Sequence, residues 1–154
     1  MISCTFYVSD FSDFTRQTRG LNSPDFAKTY SDEWGEEFRN SALVGFELNG
    51  HADSAPYGED IVCAACTALA MSALTALNDI LNLEPDYLIY DGYLKVGLSD
   101  IEKLTLRQIQ DADLIIESLF LGLRQINESY DEKYLRLHTD FYQTGFGGQN
   151  NDED

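Results

Sequence analysis

The chain has 154 residues, 44% of them apolar, which suits a single domain able to bury its own core. Its 27 acids against 10 bases give a formal net charge of -17 with no visible Lys/Arg patch, which argues against binding to nucleic-acid phosphates. An acidic surface favours solubility and speeds encounter with a basic protein.

Uninterrupted apolar runs are short, so no segment is expected to cross a bilayer. Met1-Ile2-Ser3-Cys4 carries neither a basic n-region nor a hydrophobic h-region and reads as the start of a strand, so a cytoplasmic location is expected. Cys4, Cys63 and Cys66 are too few and too irregularly spaced for a disulfide framework; free thiols fit better.

In chain order, residues 2–8 are rich in β-formers and predict a strand, with Cys4 packed inside it. Residues 43–49 predict a second strand. The segment 9–40 between them is too long for a hairpin loop and reads as an insertion. Within it, Ser23 and Pro24 suit a helix start, and Phe26, Tyr30, Trp34 and Phe38 form an aromatic stripe, although Gly35 interrupts it. Such a stripe docks on a core, or serves as a lid, a dimer contact or a substrate contact.

Residues 60–83 predict an alanine-rich helix, with Asp60 placed to cap its first turn and Pro85 beyond its end. Two strands, 87–90 and 93–98, follow around Asp91-Gly92, a strong two-residue hairpin signal. A second helix is expected over 104–130, with Ala112, Ile115, Leu119, Leu123 and Ile126 as its buried stripe. Residues 134–138 suit a short edge strand, and 145–154 are glycine-rich, then acidic, as in a disordered tail. The expected fold is α+β: a mostly antiparallel sheet of about four strands with two long helices on one face. The expected organisation is one domain over 1–144, with 9–40 inserted and 145–154 as a tail.

The chemistry concentrates in one segment. His51 sits in a glycine-flanked loop, twelve residues before Cys63 near the start of the alanine-rich helix. A thiol is a weak nucleophile until ionised, and the first turn of a helix favours a thiolate through its free amides and dipole. A nearby imidazolium favours it further, and His51 is the candidate; His138 is the other histidine. First-turn amides, including that of Cys63, are candidate donors to an oxyanion. Taken alone, a cysteine on an apolar helix is most often a small buried hydrophobe, and a loop histidine a surface residue.

Gly50-His51-Ala52 followed by Tyr57-Gly58-Glu59-Asp60-Ile61-Val62-Cys63-Ala64-Ala65 resembles the signature of the ribosomal-processing cysteine protease family, Prp. The similarity continues through Leu69, Asp91-Gly92-Tyr93-Leu94 and Gly122-Leu123. The resemblance implies a homodimeric cytoplasmic endopeptidase that removes a short N-terminal extension from a basic precursor, the large-subunit ribosomal protein L-twenty-seven. By that resemblance Cys63 is the nucleophile and His51 the base, with Asp60 and Gly58 in supporting, capping or oxyanion roles. No cofactor or metal is implied, and the charge and short apolar runs argue against direct nucleic-acid binding and against a membrane partner.

Two features depart from the family pattern: the length of the insertion, and Cys66 where an aliphatic residue is usual. The latter creates Cys63-x-x-Cys66, the spacing of a thiol redox protein, but with two alanines between the cysteines and no parallel βαβ context. A metal site from His51, Cys63 and Cys66 lacks a convincing fourth ligand. A non-catalytic ribosome-associated binding module is the remaining alternative.

Overall fold

The computed structural model describes residues 1–15, 40–56 and 58–143. Strand β1 (Ile2–Asp10) alternates strictly, burying Ile2, Cys4, Phe6 and Val8 on one face. It pairs antiparallel with β2 (Ser41–Asn49). A bulge interrupts this ladder: Tyr7 faces Gly45, but Val8 faces Leu43, leaving Val44 over. A bulge takes an amide out of the regular ladder, and here the Leu43 amide donates to the buried Asp113 carboxylate at 2.9 Å.

Helix α1 (Ile61–Thr75) follows and widens into a π-helical turn over Ala76–Ile80. The chain then leaves the helix through Asn82 and Glu84, both at positive φ, before Pro85. Val62, Cys66, Ala70, Ala73, Leu74 and Leu77 are buried against the strands. Ala64 and Ala68 are exposed, so the alanines do not all serve close packing. The stretch Ile61–Ile80 is, contrary to the sequence expectation, long and apolar enough to cross a membrane, with a mean hydropathy of 1.8. Its Ser and Thr residues break the apolar run without adding charge. In this fold one face of the stretch forms part of the domain core.

The hairpin forms as expected, with β3 (Asp86–Tyr90) and β4 (Tyr93–Gly97) joined through Asp91-Gly92. β4 lies antiparallel to β2. After a short 3-10 turn (Ile101–Lys103), helix α2 (Leu106–Ser129) begins at Thr105. The Thr105 hydroxyl accepts from the Gln108 amide at 3.1 Å, and the Gln108 side chain accepts from the Thr105 amide at 2.9 Å.

The buried face of α2 is rotated from the expected stripe. It centres on Ala112, Ile116, Leu119, Phe120 and Leu123, while Ile115 and Ile126 are only half-buried. Phe120 meets Phe6 edge-on, with ring centroids 5.2 Å apart. The two helices approach closely at Gly122, where a Cβ would lie 2.9 Å from Leu69 Cδ1.

Strand β5 (Leu135–Phe141) pairs in parallel with β1, from Ile2 opposite Leu135. The sheet is therefore mixed, in the order β3-β4-β2-β1-β5, with five strands rather than about four. A parallel neighbour needs a crossover, and α2 supplies it. Both helices contribute to the core cluster that contains Phe6, Phe46, Leu48, Leu94 and Val96, so the α+β class holds. On the other face, Tyr7 donates to Glu47 at 2.8 Å, and Lys95 lies over the Tyr7 ring.

At the start of the expected insertion, Phe14 packs with Ala42 and Ile109 in a smaller cluster. The aromatic stripe at Phe26, Tyr30, Trp34 and Phe38 lies outside the described residues, as does the tail.

Candidate active site

Three local features set the site. The first is the turn leaving β2. Gly50 takes φ +107, a conformation that disfavours other residues, and its amide donates to the Gly92 carbonyl at 2.8 Å. This bond ties the His51 loop to the β3–β4 turn. The imidazole then rests on Gly92, where a Cβ would fall 2.6 Å from Nε2. His51 is exposed.

The second feature is the cap of α1. Asp60 Oδ1 accepts from the Cys63 amide at 2.9 Å and from the Ser54 hydroxyl at 2.5 Å. Oδ2 accepts from the Ser54 amide at 3.0 Å. Asp60 therefore caps the helix and fastens the preceding loop to it. Burial alone raises its carboxyl pKa, but the bonds from Cys63 and Ser54 outweigh that and hold it well below the usual carboxylate range.

The third is the loop itself. Ala52 is buried in the core, and its amide donates to Cys63 Sγ at 3.2 Å. Asp53, next in the loop, takes φ +57. Burial raises the Cys63 thiol above its ordinary value; the Ala52 and Asp53 amides pull it down, and Asp60 pushes it up. The donor to the thiol in this conformation is the Ala52 amide rather than the imidazole.

His51, Gly58, Asp60 and Cys63 line one cavity of about 710 Å3, together with exposed apolar groups such as Met71 and Ile89. Gly58 sits at φ +87 with open space where a Cβ would be, so backbone conformation is what calls for glycine there. One sequence expectation needs correcting. The Cys63 amide is occupied by Asp60 and is not a free oxyanion donor.

Ser54 is a site residue that the sequence reading missed. Its place six residues before Asp60 in a Gly/Pro loop is a faint signal at best. Gly92 as the bed of the imidazole was equally hidden, although the hairpin that carries it was legible.

Cys66 and Cys4 are buried, and burial pushes both thiols up to about 12. That disfavours a dithiol exchanging readily at neutral pH. Among the described residues, no group of three or more His, Cys, Asp or Glu side chains is arranged to hold a metal ion.

Residues 36–135 match the family model for cysteine protease Prp. The ribosomal processing cysteine protease Prp of Bacillus subtilis is 32% identical over 102 residues, covering 65% of this chain and 88% of that protein. The corresponding Staphylococcus aureus protease is 31% identical over 94 residues, covering 59% of this chain and 81% of its own. Among solved structures, the essential ribosomal processing protease Prp of S. aureus, with a covalently linked product peptide, superposes with a TM-score of 0.61. It is 22% identical over 91% of this chain and 100% of that one, a likeness of fold. A crystal structure from Streptococcus mutans superposes at a TM-score of 0.55 with 26% identity, covering 92% of this chain and 96% of its own. The match over the residues that build β2, the His51 loop, both helices and the hairpin places this chain in the cysteine protease Prp family, as a thiol-dependent hydrolase.

Proposed function

We propose that Cys63 is the nucleophile and His51 the general base of an endopeptidase that trims the N-terminus of a ribosomal protein precursor, L-twenty-seven. The observation that carries this reading is the shared cavity, with Cys63 in the capped first turn of α1 and His51 across it on the Gly92 turn. His51 takes the Cys63 proton, and the thiolate attacks the scissile carbonyl. The tetrahedral adduct collapses as the C–N bond breaks, and protonated His51 gives its proton to the leaving amine. Water, deprotonated by His51, then hydrolyses the thioester. Because the Ala52 amide holds the thiol before substrate arrives, closer approach of the imidazole belongs to the substrate-bound state.

The precursor suits this protein electrostatically: a basic chain meets a protein with a formal charge of -17. We assign residues 1–144 to one protease domain, the insertion expected over 9–40 beginning only after Asp10 because Ser9 and Asp10 pair with β2, and the domain acting as a cytoplasmic homodimer without a cofactor. The B. subtilis and S. aureus relatives are named as ribosomal processing proteases, which supports the substrate assignment. The test is to incubate the enzyme with the full-length precursor from the same organism and record intact mass. A single N-terminal truncation is expected. An uncut precursor, with the enzyme folded and reduced, rules that substrate out.

A further inference from the structure

Asp60 removes the Cys63 amide from the reaction by accepting its hydrogen bond. A cysteine protease still needs donors where negative charge develops on the substrate oxygen. Two loop amides turn inward toward the start of α1, with Asp53 between them. That of Ala52 donates to Cys63 Sγ at 3.2 Å, and that of Ser54 donates to Asp60 at 3.0 Å. Asp53 takes φ +57, and a left-handed residue of this kind lets neighbouring amides converge on a single anion.

We propose that the Ala52 and Asp53 amides form the oxyanion hole of this protease, and that Ser54 is the residue that positions them. The assignment rests on Cys63 being the nucleophile. When the thiolate attacks, the S–C bond forms and the carbonyl π pair moves onto oxygen. Charge leaves the sulfur for an atom two bonds away. The Ala52 amide, already aimed at the sulfur, therefore needs only a small shift to follow it, and the left-handed Asp53 next to it turns its own amide to the same side. When the adduct collapses, that pair re-forms the carbonyl and the C–N bond breaks, with the amine taking its proton from His51. The hydroxyl and amide of Ser54 both end on Asp60, so the loop that carries the two donors is fixed to the helix that carries the nucleophile.

Backbone donors are tested by replacing the amide with an ester: lactate in place of Ala52 and malate in place of Asp53, each in the full chain. Each change is expected to lower kcat by about 10²–10³-fold with KM nearly unchanged. Each also moves the pH midpoint of Cys63 alkylation by iodoacetamide upward, because the thiolate loses a donor. The other titratable groups lining the cavity with that thiol are His51, Asp53, Asp60, Cys66, Tyr90, Asp91 and Tyr93, and none is altered by the esters. Ser54→Ala should lower kcat without raising KM, and Ser54→Thr should restore it. These side-chain variants decide the matter if an ester chain fails to fold.

Unchanged kcat in the ester variants, or a loss confined to KM, overturns the proposal. The alkylation measurement needs no peptide and reads the amides independently. A wild type that cleaves no peptide is a failure of the protease reading, whereas equally fast cleavage by wild type and ester variants removes only the amide assignment.

Discussion

Ser54 and Asp60 are joined twice, hydroxyl to Oδ1 at 2.5 Å and amide to Oδ2 at 3.0 Å, while the same carboxylate caps the Cys63 amide. One side chain thus fixes the relative position of the helix start and of the loop that covers the thiol. Most helix caps end one element; this one also couples two parts of a site.

Replacing Asp60 with Ala is expected to cost about 1 kcal/mol of stability through the cap, measured by urea denaturation. The pH dependence has a definite sign. The folded pKa lies below the unfolded one, so the contribution is complete above about pH 4. It is lost as the pH falls from there toward the folded value. The stability gap between wild type and Asp60→Ala therefore narrows below about pH 4. A gap that stays constant in acid would mean the carboxylate charge is not its source.

Gly92 takes φ +70 and lies under the His51 ring. Gly92→Ala strains the backbone by about 1–2 kcal/mol and drives a methyl into the imidazole. Displacing a catalytic base by an ångström costs about 10²-fold in rate, so kcat is expected to fall far more than thermal stability. Wild-type kcat in a folded Gly92→Ala enzyme would mean that the imidazole reaches its working position without Gly92 beneath it.

Cys66 sits beneath Cys63 with its thiol buried and protonated. Cys66→Ala should leave peptide cleavage intact, since no step uses this sulfur. Cys66→Ser puts a hydroxyl in its place and is expected to destabilise by about 1–3 kcal/mol if it finds no partner. Loss of turnover in folded Cys66→Ala would revive a dithiol mechanism.

Phe120 anchors α2 to β1 through its edge-on contact with Phe6. Phe120→Ala is expected to cost about 3–5 kcal/mol, read as a lower urea midpoint with little change in slope. A loss below about 1 kcal/mol would mean that the core relaxes to fill the space.

Much of this architecture is written locally. The alternation of Ile2, Cys4, Phe6 and Val8, the Asp91-Gly92 turn and the Asp60 cap each report their own structure within a few residues. The pairing of β5 with β1 does not, because the two strands lie at opposite ends of the described chain and α2, which leads from β4 to β5, carries β5 across the sheet to β1. The buried face of α2 also takes in Ile116 rather than Ile115, with the buried Asp113 accepting from the Leu43 amide at the β2 bulge, a tertiary contact that residue spacing does not reveal. At the site, Cys63, His51, Asp60 and Gly58 were legible as a motif. Ser54 and the two loop amides were not, since a backbone donor leaves no signature in residue identity.

Attack of Cys63 on a peptide bond leaves a trace in an acid-quenched mass spectrum taken during turnover. With the precursor as substrate, a transient adduct is expected on Cys63, equal to the released N-terminal fragment less one water. Cys63→Ala should show neither adduct nor cleavage. Cleavage by Cys63→Ala at the wild-type rate would mean that Cys63 is not the nucleophile.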